Sequence, residues 1–331
     1  EACTVQGVCG KDPQVAALQD ALTYAIKGLA VVAHQARQEG VTDPEANRFT
    51  AEALFSTLTN VDFDAGRFPG LISRAVELRQ RLAERAGVTP PPGPAQFQPE
   101  GSVAGLEEQG QTYPFKVDDS DNGDIASLQH TLVFGLRGVA AYADHAAILG
   151  YEDEDIWAFL HEGLAAATRP EQKDLEAWVA MVLKCGEINL KTMQLLDQAH
   201  TETFGHPEPT QVSLGHRAGP AILVSGHDLL DLKMLLEQTR GQGISVYTHG
   251  EMLPAHGYPE LKKFDHLAGH YGTAWQNQGK EFPAFPGAIL MTTNCIQKPK
   301  GDAGSKMFTT GLVGWPEVPH IQRAADGSKD F

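Results

Sequence analysis

The sequence predicts a multidomain protein, with a helical domain over residues 1–207 followed by an α/β domain over residues 208–331. Three observations predict it. Residues 15–56 align without gaps on residues 125–166, and both copies carry apolar residues at helical spacing. A proline-rich break separates the copies. After about residue 207 the pattern changes to short, continuous apolar runs of the kind buried on both faces of a parallel sheet.

Composition bounds the rest. At 331 residues the chain has room for about two domains, and 42% hydrophobic against 21% charged residues suits packed cores rather than disorder. Lys and Arg number 26 against 42 Asp and Glu, a net charge of −16. That balance argues against a nucleic-acid binder, whose affinity comes from neutralising phosphates. No apolar run approaches the ~20 residues that span a bilayer, and no signal peptide is visible. The expectation is a cytoplasmic protein with no membrane partner. The chain opens on Glu1 rather than Met, so a true N-terminus upstream is expected.

In the repeat, thirteen of the 42 aligned pairs are identical, among them Leu18/Leu128, Gly28/Gly138, Gly40/Gly150, Asp43/Asp153 and Phe49/Phe159. Leu18, Leu22, Ile26 and Leu29 match Leu128, Leu132, Leu136 and Val139, stepping by three and four along one helix face. Gly40 and Gly150 stand where the first helix ends. Asp43 and Asp153 stand where the next begins. A third helical segment follows in each copy, roughly 67–86 and 171–199. Each copy thus reads as a three-helix bundle, 12–87 and 123–200, able to bury its own apolar stripe. Its histidines, His34, His130, His145 and His161, are scattered and read as surface or hydrogen-bonded residues.

Between the bundles, residues 88–122 read as a linker. Pro90-Pro91-Pro92-Gly93-Pro94 favours extended chain. Asp118-Asp119-Ser120-Asp121-Asn122 offers a cap for the second copy's first helix.

In the second domain, strand-like runs fall at 221–226, 244–248 and 288–293, with a helix-like stretch over 228–238. His227 follows the first run, Glu251 the second and Cys295 the third. The carboxyl ends of strands line the ligand crevice of open α/β sheets, so three residues able to ligate metal fall at three equivalent places. Polar residues are also common after strands by chance. A structural zinc site would prefer close spacing such as C-x2-C, which is absent; imidazole, carboxylate and thiolate from distant strands suit an iron site of mixed hard and soft ligands. The runs 247–258 and 269–278, rich in Gly, His, Tyr and Trp, suit a buried pocket or a tightly packed loop equally. No P-loop or dinucleotide fingerprint appears.

Cys3 and Cys9 form a C-x5-C that allows a disulfide or half of a metal site, since two thiolates alone cannot complete one. Cys185 lies in a helix-like stretch and reads as a buried thiol.

The segments Cys3–Lys11, 141–146, 224–228, Tyr247–Tyr258, 269–278, 291–299 and 311–316 together resemble the hybrid cluster protein family, also called prismane proteins or hydroxylamine reductases. The likeness runs to about residue 320. It implies a helical domain of two repeated three-helix bundles followed by a Rossmann-like α/β domain. It also implies two iron–sulfur centres. Cys3 and Cys9 match two of four ligands of a 4Fe-4S cubane. His227, Glu251 and Cys295 match three ligands of a hybrid 4Fe-2O-2S cluster. The implied reaction is two-electron reduction of hydroxylamine to ammonia and water, fed by an electron-donating reductase. Nitric oxide reduction and protein nitrosylation, roles in nitrosative stress, are attached to relatives. His249 and His256 are candidate proton donors by position, with packing or support of a ligand as the other reading.

The sequence departs from the family in two respects. The C-x2-C expected just before Cys3 is absent, and so is a third domain bearing more hybrid-cluster ligands. A fragment explains both, and a fragment is expected to be inactive by itself. Two other readings stand beside this one. One is a carbon monoxide dehydrogenase-like catalytic subunit, distinguishable by its nickel. The other is a redox or nitric-oxide sensing module without turnover.

Overall fold

The structure, a computed structural model, describes residues 5–7, 9–115, 122–168 and 174–331. It is a helical unit and a parallel-sheet unit. Cys3 and the acidic residues 118–121 lie outside the described residues.

The helical unit holds seven helices among the described residues, the last of them running on past Asp197 into the second unit: α1 (Pro13–Gln38), α2 (Pro44–Ser56), α3 (Phe68–Ala86), α4 (Val103–Thr112), α5 (Gly123–Ala147), α6 (Glu154–Ala166) and α7 (Leu175–Phe204). The two copies are punctuated alike. The Asp43 side chain accepts from the amides of Glu45 and Ala46 to cap α2, and Asp153 accepts from Asp155 to cap α6. Each cap stabilises its helix by about 1 kcal/mol. Gly40 (φ +74°) and Gly150 (φ +88°) leave the preceding helices in the left-handed conformation that glycine adopts without steric cost. Asn122 caps α5, accepting from Asp124 and Ile125.

Packing departs from two self-contained bundles. α1 packs on α3 and α4 but also on α6 of the other copy, and α2 packs reciprocally on α5. One continuous core results, joining Leu22, Ile26 and Leu29 to Leu132, Leu136 and Leu160. A short helical stripe buries more apolar area against two neighbours than against one, which favours the shared core. The expected linker also proves to be part of this core. Ala95, Phe97 and Leu106 are buried, and a Cβ on Gly28 or Gly110 would strike the carbonyl oxygens of Pro94 or Ala17. Prolines stop the chain from being helical over 90–93, but they do not keep it off the core.

By length and composition α1 could cross a bilayer, contrary to the reading that no run approaches that length. In the fold, 78% of its apolar window is buried, as in a core helix.

The second unit comprises Gly7–Gly10, Leu58–Phe63 and Gln198–Phe331. It therefore takes in Cys9 and the segment between α2 and α3, which the sequence division at 207/208 assigns to the helical domain. Its elements are β1 (Ala221–Ser225), α8 (Leu229–Gln238), β2 (Ser245–Thr248), α9 (Pro259–Lys262), β3 (Leu267–His270), α10 (Gln278–Ala284), β4 (Ala288–Met291), β5 (Met307–Thr310) and β6 (His320–Ile321). The six strands are all parallel, in the order β3-β2-β1-β4-β5-β6. That is the doubly wound order, with its switch point between β1 and β4. Leu223, Val246, Ile289 and Met307 fill the sheet's interior. Residues 58–63 join this unit through the backbone, Phe63 N donating to Gly314 O and Gly314 N to Val61 O.

Candidate metal centre

β1 ends at Ser225, and the chain must turn at once to enter α8. Gly226 makes that turn at φ +105°, with Thr292 and Thr293 so close that a Cβ would lie 2.4 Å from Thr292 Oγ1. Only glycine fits both demands. The turn delivers His227 beside Thr293, whose hydroxyl oxygen accepts from the His227 amide at 2.8 Å and lies 2.9 Å from its Nδ1. β2 ends at Thr248, and Glu251 follows in the 3₁₀ segment Gly250–Gly257. β4 ends at Met291, and Cys295 follows with φ +78°.

The three side chains converge. His227 Nε2, one Glu251 oxygen and Cys295 Sγ all lie within 4.8 Å of one another. Glu251 Oε2 accepts from His227 Nε2 at 2.5 Å and from Cys295 Sγ at 3.3 Å. Two protons thus occupy the place where a cation would meet nitrogen, oxygen and sulfur. Burial, and then the Glu251 carboxylate, push the Cys295 thiol up to about 12. Partial burial raises the Glu251 carboxyl, but hydrogen bonds from Cys295 and His227 outweigh it and hold the group below its ordinary value. A cation reverses this logic, because it favours thiolate and carboxylate together. The donor set fits a metal centre that takes hard and soft ligands at once. It stands at the carboxyl ends of β2, β1 and β4, astride the switch point.

Other expected residues fall elsewhere. His249 is wholly buried, and both its ring nitrogens are engaged: Nδ1 by Ser225 Oγ at 3.1 Å and Nε2 by Glu281 Oε2 at 2.9 Å. Burial lowers its basicity despite the Glu281 carboxylate. His256 is buried with Nε2 at 2.9 Å from Thr248 Oγ1. Burial, then its neighbour His270, push it down to about 4. Both rings are therefore neutral at pH 7 and tied into the sheet's end, which suits support more than proton delivery. Cys9 is half-buried and packs against the core of the sheet unit.

The sequence reading missed Thr292, Thr293, Gln278, Glu281 and Asn60. Of the residues around the turn, only Gly226, a glycine between strand and helix, carries a signal readable from local sequence.

The parallel-sheet unit is thus a doubly wound α/β unit that brings N, O and S donors together at its switch point, the arrangement of a candidate metal centre. The sequence matches the Prismane/CO dehydrogenase family over residues 1–331, and the chain belongs to that family. It is 60% identical over 98% of its length to a protein of Solidesulfovibrio magneticus named hydroxylamine reductase. It is 58% identical over 97% to one of Syntrophobacter fumaroxidans and 53% identical over 99% to one of Thermodesulfovibrio yellowstonii, both of the same name. The chain spans 60%, 60% and 61% of these relatives' lengths.

Proposed function

We propose that this chain forms part of a hydroxylamine reductase, in which His227, Glu251 and Cys295 hold iron of a hybrid 4Fe-2O-2S cluster. Cys3 and Cys9 supply two ligands of a 4Fe-4S cubane in the same proposal, and an electron-donating reductase in the cytoplasm feeds it. The observation that supports it most is the convergence of three chemically different donors within 4.8 Å at the strand ends. When bound, the cluster would supply Lewis-acid polarisation of an N–O bond and two electrons, which together with two protons from solvent convert hydroxylamine to ammonia and water. The chain's own residues orient and hold. Thr293 fixes the His227 ring through Nδ1 and leaves Nε2 for metal, and a loop anchored in the sheet carries Glu251. His249 and His256 take supporting positions.

The test is anaerobic reconstitution with iron and sulfide of a protein of the relatives' full length, read by iron count, electron paramagnetic resonance and hydroxylamine turnover. Glu251→Ala or Cys295→Ser should remove the hybrid-cluster signal and lower turnover by at least tenfold, with the cubane signal retained. Cys9→Ser should damage the cubane instead. Equal loss of both signals from every variant would defeat the assignment of separate sites. Stoichiometric nickel would point to a carbon monoxide dehydrogenase-like centre.

A further inference from the structure

We infer that the short helix α10 positions all three donors, Gln278 through Cys295 and Glu281 through the strand ends that carry His227 and Glu251. The inference rests on the reading of His227, Glu251 and Cys295 as metal ligands, and assigns to α10 a role that their own contacts do not account for.

Glu281 is a bridge. Its Oε1 accepts from Thr273 Oγ1 at 2.6 Å, and its Oε2 accepts from His249 Nε2 at 2.9 Å. An ionised carboxylate only accepts, so His249 carries its proton on Nε2, and its Nδ1 accepts from Ser225 Oγ at 3.1 Å. Ser225 is the last residue of β1, two before His227, and His249 is two before Glu251. One carboxylate therefore ties the end of β1, the end of β2 and the loop after β3 into a single network. The approach is close enough to constrain a third residue. A Cβ on Gly272 would lie 2.7 Å from Glu281 Oε2 and 2.9 Å from His249 Cδ2.

One turn earlier on α10, buried Gln278 donates Nε2 to the Cys295 carbonyl at 2.5 Å. The next residue, Ile296, is gripped on both its backbone groups: its amide donates to Asn60 O at 3.3 Å, and its carbonyl accepts from Asn60 Nδ2 at 2.8 Å. Cys295 stands between these grips at φ +78°. A residue with a Cβ holds that conformation only where its surroundings over-determine it. Gln278 and Asn60 do so, and they aim Sγ at Glu251.

The test uses the chain with Co(II) as probe under anaerobic conditions, reading the thiolate-to-cobalt charge-transfer band, the visible ligand-field bands and the dissociation constant. Cys295→Ser, which should abolish the charge-transfer band, tests the ligand reading itself. Glu281→Ala removes the bridge. Gln278→Glu keeps the shape but sets an acceptor against the Cys295 carbonyl. Each should weaken Co(II) binding by about 10–100-fold and shift the ligand-field bands, with far-ultraviolet dichroism and melting temperature near the parent values. Glu281→Gln, which keeps the shape and a hydrogen bond to Thr273, should recover most of the affinity. Parent affinity and bands in Glu281→Ala and Gln278→Glu, with the band still lost in Cys295→Ser, would overturn the role of α10 and leave the ligands standing. No charge-transfer band in the parent chain, or one untouched by Cys295→Ser, would overturn both. If Glu281→Ala fails to fold, Gln278→Glu decides by the same criteria.

Discussion

Cys295 combines a donor atom with a backbone conformation, φ +78°, that side chains with a Cβ rarely adopt. The left-handed region costs such a residue about 1–2 kcal/mol, and glycine escapes that cost while losing about 0.5–1 kcal/mol through its freer unfolded chain. Two substitutions that both delete the thiol separate these effects. Cys295→Gly should be more stable than Cys295→Ala by about 0.5–1 kcal/mol, measured by denaturant unfolding without metal. Equal stability, or a more stable alanine variant, would show that the turn holds no strain. A ligand placed at a strained turn is preorganised: the fold meets the conformational cost before any metal arrives.

At the scale of elements, the two copies of the helical repeat meet through a buried polar contact. His161 of α6 lies 3.1 Å from Thr50 Oγ1 of α2, and that hydroxyl already donates to Ala46 O. The ring must therefore donate from Nε2, which leaves Nδ1 buried with no hydrogen-bond partner among the described residues. Burial, and then the nearby Arg37 and His34, push His161 down from 6.5 to about 3. A folded value below the unfolded one means that the unfolded chain takes up the proton first. The associated stability is fully present above pH 6.5 and is lost as pH falls toward 3. Between pH 7 and pH 5 the parent chain should lose about 2 kcal/mol more than His161→Gln, which keeps a donor for Thr50 but does not titrate. Urea unfolding of both at the two pH values checks this. Equal losses would mean that the ring is protonated in the folded state. The repeat itself was legible because caps and stripes are local: Asp43, Asp153, Gly40 and Gly150 act on their own neighbours. The exchange of partners was not, since α1–α6 and α2–α5 packing joins segments far apart in sequence. α4 lay hidden behind prolines, and β3, four residues with a glycine, is too short to show a pattern. The candidate donors were legible for a geometric reason: residues just after parallel strands share one end of the sheet. Their supports, Gln278, Glu281 and Asn60, reach the site through loop paths that no spacing encodes.

At the scale of the whole molecule, cysteine supply decides what this chain can assemble. It has four cysteines. Cys185 is 4% exposed, so close to Gly135 of α5 that a Cβ there would meet its Sγ at 2.8 Å, and burial pushes its thiol up to about 11. Such a thiol is a packing residue rather than a ligand. Cys295 belongs to the mixed-donor site. Two cysteines remain, Cys3 and Cys9, and the proposed cubane ordinarily takes four. Likewise, His227, Glu251 and Cys295 would be three donors for the proposed centre of four irons. The helical unit has its own continuous core, so its helices should fold without either proposed cluster. The chain, reconstituted anaerobically with iron and sulfide, should therefore show cooperative helical unfolding yet retain well short of the roughly eight irons of two four-iron centres. It should turn over no hydroxylamine. Iron that does stay bound should fall further in Cys295→Ser and hold in a Cys185→Ala control. Full iron loading with turnover would mean that other side chains complete both centres, and would require a different ligand set from the one proposed.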